Sequence, residues 1–177
     1  FTTYLREEEY DSMRKGEMTD RLLVKDLILT EEQVAKYGRY MEEDMHADEE
    51  IMSEQEFQRA CSKRSESACS EFAFDNAGFS ARINLPSENL VFFSVPYDEG
   101  FTAQVDGVQV PIEMVDGGLM AIPVPEGTHE IRFTYLPKGF NLCCAISAIT
   151  AILLLVHGVR QYVRLRKTNV LALENNA

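Results

Sequence analysis

From Ser70 to Tyr135 the chain alternates short apolar runs with turn residues. Phe72 and Phe74 flank a small residue before Asn76-Ala77-Gly78. Phe79, Ala81, Ile83 and Leu85 then recur with period two up to Pro86-Ser87-Glu88-Asn89, and LVFFSVP follows at 90–96. Further strands are predicted at 101–105, 108–115, 119–124 and 130–135. Asp98-Glu99-Gly100, Asp106-Gly107, Asp116-Gly117-Gly118 and Pro125-Glu126-Gly127 separate them. Period two marks a strand with one buried face, and Asp-Gly between apolar runs marks a hairpin. Seven such strands predict a mainly β fold, an antiparallel, jelly-roll-like β-sandwich over 70–138. Phe72, Phe74, Ile83, Leu90, Phe92 and Tyr135 are its expected core.

Residues 1–69 read as a mixed helical and extended segment packed on that sandwich. A polar helix is expected over 5–15, ended by Gly16, and a strand over LLVKDLIL (22–29). Thr30-Glu31-Glu32-Gln33 is a capping box opening a helix through Val34, Tyr37 and Met41. Ser53-Glu54-Gln55-Glu56 repeats the pattern ahead of Phe57 and Cys61. The intervening MEEDMHADEE (41–50) is too charged to bury and predicts a solvated turn.

Between Gly139 and Val159 there is no formal charge over 21 residues, with His157 neutral. A helix of that length spans about 31 Å, the thickness of a bilayer's hydrocarbon core. It is apolar on every side, unlike an amphipathic surface helix. Lys138 is the only nearby base before it, whereas Arg160, Arg164, Arg166 and Lys167 crowd the far side. Basic residues mark the cytoplasmic end of a span. The expected layout is therefore 1–138 extracytoplasmic, 139–159 transmembrane and 160–177 a basic cytoplasmic tail. Asn141, Ser147, Thr150 and His157 within the span suit neighbouring helices better than lipid. The expectation is the C-terminal piece of a larger multi-pass protein, with membrane lipid and further transmembrane helices as its partners.

Charge narrows the partners. Residues 1–138 hold 13 Lys+Arg against 28 Asp+Glu, a balance of 13 − 28 = −15. A surface this acidic repels phosphate backbones, so nucleic acid is not expected as a partner. Of the four cysteines, Cys143 and Cys144 lie in the span and act as small apolar residues. Cys61 and Cys69 lie in the exported part, where a disulfide between them is expected if the helix through Cys61 stops near Ser65–Ser67. The spacing resembles no zinc framework, and no metal site is expected.

No catalytic constellation stands out: there is no phosphate loop, no HExxH and no nucleophile elbow. His46 and His129 read as solvated. The best local candidate is Tyr97, Asp98, Glu99 and Phe101 in VPYDEGF. Aromatic faces stack on sugar ring C–H groups and carboxylates accept sugar hydroxyls, so this loop is a candidate glycan-binding surface. The competing reading is that Tyr97 and Phe101 staple the strands while Asp98-Glu99-Gly100 merely turns the chain.

The runs ENLVFFSVPYDEGFTAQVDGVQV and VDGGLMAIPVPEGTHEIRFTY, leading straight into a membrane helix, resemble the C-terminal part of the YfhO family. So do YLREEEY, LLVKDLILTEEQ and CSKRSESACSEF upstream. Phe101 stands where that family often has Trp, which weakens stacking without changing the fold. The resemblance implies a bacterial multi-pass glycosyltransferase that uses a polyprenyl-phosphate sugar to glycosylate cell-envelope polymers such as teichoic acids. It implies a catalytic acid in an early extracytoplasmic loop, so no catalytic residue or cofactor is assigned to these 177 residues. Two other readings stay open: a non-catalytic membrane-anchored module that binds glycan or protein, and a structural cap.

Overall fold

The computed structural model describes residues 1–12, 23–45 and 53–174. The expected stop at Gly16, the start of LLVKDLIL, the second half of MEEDMHADEE and His46 lie outside the described residues. The chain divides into two compact units, Phe1–Leu136 and Pro137–Ala177.

Among the described residues the first unit holds three sheets. In the first, β1 (Thr3–Arg6) lies between β2 (Asp26–Leu29) and β3 (Glu42–Glu43), all parallel. Parallel strands need crossovers, and helices supply part of them. α1 (Glu7–Ser12) follows β1, while α2 (Glu31–Tyr37) and a 3-10 turn (Gly38–Tyr40) carry β2 to β3. The expected capping box is present: the Gln33 amide donates to Thr30 Oγ1 at 3.3 Å, and the Thr30 amide to Gln33 Oε1 at 3.0 Å. Ser53 and Glu56 open α3 (Glu54–Glu66) in the same way.

The other two sheets are antiparallel. One has five strands in the order β4 (Ser70–Asp75), β5 (Gly78–Leu85), β11 (Gly127–Tyr135), β7 (Phe101–Val105) and β8 (Val108–Val110). The other has three: β6 (Asn89–Pro96), β10 (Leu119–Val124) and β9 (Glu113–Val115). The single strand expected over 108–115 is thus two. Pro111 has no N–H to give a ladder, and the chain changes sheets there.

The expected jelly-roll-like β-sandwich is not what forms; the domain is mixed α/β. Period two was read as one buried face per strand, but β6 and β10 are covered on both. Val91, Phe93, Met120, Ile122 and Val124 share a core with Phe79, Ile83, Ile131 and Phe133 of the five-stranded sheet. Leu90 and Ala121 face the other way, into a second core with Tyr4, Leu27, Leu29 and Tyr37. The unbroken apolar runs LVFF and LMAI are the mark of two-sided burial. The N-terminal segment contributes a whole parallel layer, and β1 within it overlaps the start of the helix expected over 5–15.

Core membership needs a second correction. Ile83 and Leu90 are buried and Phe92 is half-buried, but Phe72, Phe74 and Tyr135 are 44%, 74% and 39% exposed. β4 is an outer strand of the five-stranded sheet, and all six of its residues are exposed. The second unit is one helix, α4 (Phe140–Glu174), whose stretch Phe140–Arg164 is long and apolar enough to cross a membrane. Up to Arg164 its apolar side chains are exposed on all sides, which suits lipid or neighbouring helices rather than water.

Candidate functional site

The Tyr97–Phe101 loop joins β6 to β7 and lies against the last residues of the first unit. Its tightness follows from three contacts. The Gly100 amide donates to Asp98 Oδ1 at 2.7 Å, and the Phe101 amide to the Asp98 carbonyl at 3.0 Å. Across the strands, the Leu136 amide donates to the Gly100 carbonyl at 3.0 Å. A Cβ on Gly100 would come within 2.7 Å of the Leu136 carbonyl oxygen and 2.8 Å of the Tyr135 ring, so only glycine fits. The Tyr97 amide donates to the Gly118 carbonyl at 2.8 Å, tying the loop to the β9–β10 turn.

The four side chains are therefore in different situations. Phe101 packs its ring 4.6 Å from that of Tyr135 and lies within 6.4 Å of Phe79 and Phe133, as part of the core edge. One Asp98 oxygen is used within the turn. Tyr97 is 37% exposed, and Glu99 is exposed as well. What the loop offers a ligand is the exposed Tyr97 ring with the carboxylates of the next two residues. A ring face and acid oxygens are the groups a sugar needs, whereas nothing here positions a nucleophile beside a base.

A second cluster was not anticipated from the sequence. Asp26 on β2 is 0% exposed, and neither of its carboxylate oxygens makes a hydrogen bond among the described residues. The Thr3 hydroxyl donates instead to the Lys25 carbonyl. Burial, and then the charge of Asp44, push the Asp26 carboxyl up to about 6. Asp116, in the β9–β10 turn, is likewise raised to about 6, chiefly by burial. Arg64 on α3 donates to the carbonyls of Val24 and Lys25 at 3.0 and 2.9 Å, and its burial lowers it to about 10. The signal was available: Lys25 and Asp26 interrupt the apolar run of LLVKDLIL, and an acid there must either face solvent or be accommodated. No group of three or more His, Cys, Asp or Glu able to hold a metal occurs among the described residues.

His129, expected to be solvated, is tied on both nitrogens. Nδ1 lies 2.6 Å from Asp106 Oδ2 and Nε2 3.1 Å from the Glu126 carbonyl. Two acceptors favour the doubly protonated ring and raise its pKa, and the residue braces two turns. Cys61, in α3, and Cys69 are free thiols in the structure. The helix ends at Glu66 with Ser67 as its C-cap, between the two cysteines. Burial raises the Cys69 thiol, which packs against the core of the antiparallel sheets.

A family described as "Bacterial membrane protein YfhO" matches residues 50–147, which is 98 of the 177 residues. The match runs from ahead of α3, through both antiparallel sheets, into the first turns of α4. The chain is also 24% identical over 70 residues to "Uncharacterized protein YfhO" of Bacillus subtilis (strain 168). That alignment takes in 40% of this chain and 8% of the Bacillus protein's length. No solved structure matches. With more than half of its length matched, and an apolar helix where the match ends, the chain belongs to the YfhO family of bacterial membrane proteins.

Proposed function

We propose that this chain is the extracytoplasmic domain and last membrane helix of a multi-pass protein that glycosylates cell-envelope polymers of the teichoic-acid type. The sugar donor is a polyprenyl-phosphate sugar, and the domain itself performs no transfer. The observation that carries the reading is the family match running unbroken from the domain into the membrane helix. It makes the junction between them a family feature rather than an accident of two joined modules. The basic residues after the span, against a lone Lys138 before it, support an outward-facing domain and a cytoplasmic tail. The donor is a substrate of the whole protein, and no residue here is assigned to it.

Within this reading the domain holds the acceptor glycan beside the membrane, with Tyr97, Asp98 and Glu99 as the contact and Phe101 as support. Stacking and charged hydrogen bonds are each worth about 1–3 kcal/mol when desolvated. Loss of one lowers transfer about ten- to hundredfold at subsaturating acceptor. Tyr97→Ala and Asp98→Ala in the full-length protein are expected to do so in cells while protein abundance holds. Normal glycosylation at normal abundance for both removes the binding role.

A second reading, in which the module scaffolds and binds no glycan, is favoured by the turn itself. Asp98 Oδ1 is already engaged by Gly100, and Gly100 clasps Leu136. Under it Asp98→Ala lowers abundance, and glycosylation per molecule stays unchanged.

A further inference from the structure

The first unit carries an exposed apolar surface whose members are all tied to the point where the chain leaves it. Phe74 is 74% exposed and Phe72 44%; Tyr97, Tyr135 and Leu136 are exposed as well. Phe74, Phe79 and Phe133 stand in register across β4, β5 and β11, with ring centroids 5.9 and 4.5 Å apart. This aromatic layer is core at its centre and surface at its rim. The Tyr135 amide donates to the Ala77 carbonyl at 2.7 Å, which brings the tip of the β4–β5 hairpin to the exit. The Leu136 bond to Gly100 brings the β6–β7 loop there too.

Covalent geometry then limits what this surface can meet. Only Pro137, Lys138 and Gly139 separate Leu136 from Phe140, where the candidate span begins. Four Cα steps reach at most about 14 Å. The headgroup layer on each side of the hydrocarbon core is about 5–8 Å deep. Even a fully extended link leaves Leu136 no more than about 6–9 Å beyond that layer, and a bent link puts it inside. Tyr and Trp gather at this depth in membrane proteins because an amphipathic ring suits a half-wet medium.

We infer that this surface is a lipid-interface contact, in which Phe74, Tyr135 and Leu136 enter the headgroup–acyl boundary and fix the domain against the bilayer. The charges nearby decide which lipid chemistry it accepts. Asp98 and Glu99 on the loop are acidic, Lys138 on the link is the one base, and Asp75 is paired with Arg132 at 2.6 Å. Insertion is therefore driven by apolar and aromatic burial, and anionic headgroups do not strengthen it. The inference rests on the membrane helix alone and stands whether or not the protein handles glycans.

The chain contains no tryptophan, so one introduced residue reports its own surroundings. The 177-residue chain, inserted through its own helix into phosphatidylcholine vesicles, is compared as Phe74→Trp, Leu136→Trp and Val108→Trp. Val108 is 68% exposed but sits at the β7–β8 hairpin, at the end of β7 away from Tyr135. The expected result is blue-shifted emission for the first two, quenched by lipids brominated near the headgroup and shielded from aqueous acrylamide. Val108→Trp should emit as in water. Circular dichroism checks that each variant folds, and Leu136→Trp carries the test if Phe74→Trp does not. Emission of both like that of Val108→Trp overturns the inference. A shift that tracks the protein-to-lipid ratio also overturns it, since a second copy would then be the cover. So does a shift seen only when phosphatidylglycerol is added.

Discussion

Asp116 accepts the backbone N–H of Ile28 through Oδ1 at 2.7 Å, across 88 residues of sequence. Ile28 lies on β2, an outer strand of the parallel sheet, so its outward amide has no neighbouring strand to donate to. A turn of a different sheet supplies the acceptor. Asp116 holds φ 49° to do so, in a left-handed turn with Gly117. One carboxylate thus fastens the parallel layer to the antiparallel ones.

Removing that acceptor should therefore cost more than a surface acid would. Asp116→Ala leaves a buried amide unpaired and is expected to lower unfolding stability by about 1–3 kcal/mol. Asp116→Asn keeps both an acceptor oxygen and tolerance of positive φ, and should lose much less. Urea unfolding of the two variants beside the parent chain checks the difference. Equal losses would mean the bond contributes nothing specific.

Stability should also depend on pH with a definite sign. The raised carboxyls of Asp26 and Asp116 stabilise the fold below their unfolded value near 3.8, and that contribution is lost as pH rises through about 6. His129, also raised, acts in the same direction above its unfolded value of 6.5. Asp75, Asp106 and Glu43 are lowered by hydrogen bonds and ion pairs, and their contribution disappears as pH falls through their folded values. The melting temperature should peak near about pH 4 and fall as pH rises through about 6. Asp26→Asn should flatten the upper limb, and an unchanged upper limb would contradict the burial assigned to Asp26.

These dependences rest on features with unequal traces in the sequence. Period-two runs, Asp-Gly turns and two capping boxes are local, and the strands and helix starts they mark are present. The partner of each strand face is not local. The unbroken runs LVFF and LMAI mark strands covered on both faces but do not say what covers the second face, so the third layer and the mixed α/β architecture were invisible to alternation. The strand Thr3–Arg6 is four residues long and runs directly into Glu7-Glu8-Glu9, whose helix signal dominates the window. Within the loop, the composition of Tyr97–Phe101 was legible. The close approach of Leu136 to Gly100, which fixes its shape, joins residues 36 positions apart and left no local mark.

Gly100→Ala tests that approach directly. The new methyl meets the Leu136 carbonyl and the Tyr135 ring below contact distance. Overpacking of this kind costs about 1–3 kcal/mol. The expected outcome is a lower melting temperature with Leu136 released, read as faster hydrogen exchange at its amide. Unchanged exchange there would remove the clasp.

Oxidation of Cys61 and Cys69 in the exported protein remains a proposal, supported by the helix end at Glu66. Closing so short a loop contributes about 2.5 kcal/mol in the chain-entropy picture. Intact mass under non-reducing conditions should be two hydrogens lighter than that of the reduced chain. Alkylation of both thiols without reductant would rule the bridge out.

The proposed function requires the domain to lie on the outer side of the membrane, because envelope polymers are met only there. With the native cysteines replaced, Glu99→Cys and Asn176→Cys place single thiols before and after the span. A membrane-impermeant maleimide applied to intact cells should label the Glu99→Cys protein, and should reach Asn176→Cys only after the cells are permeabilised. Labelling of Asn176→Cys in intact cells, with Glu99→Cys protected, would contradict it.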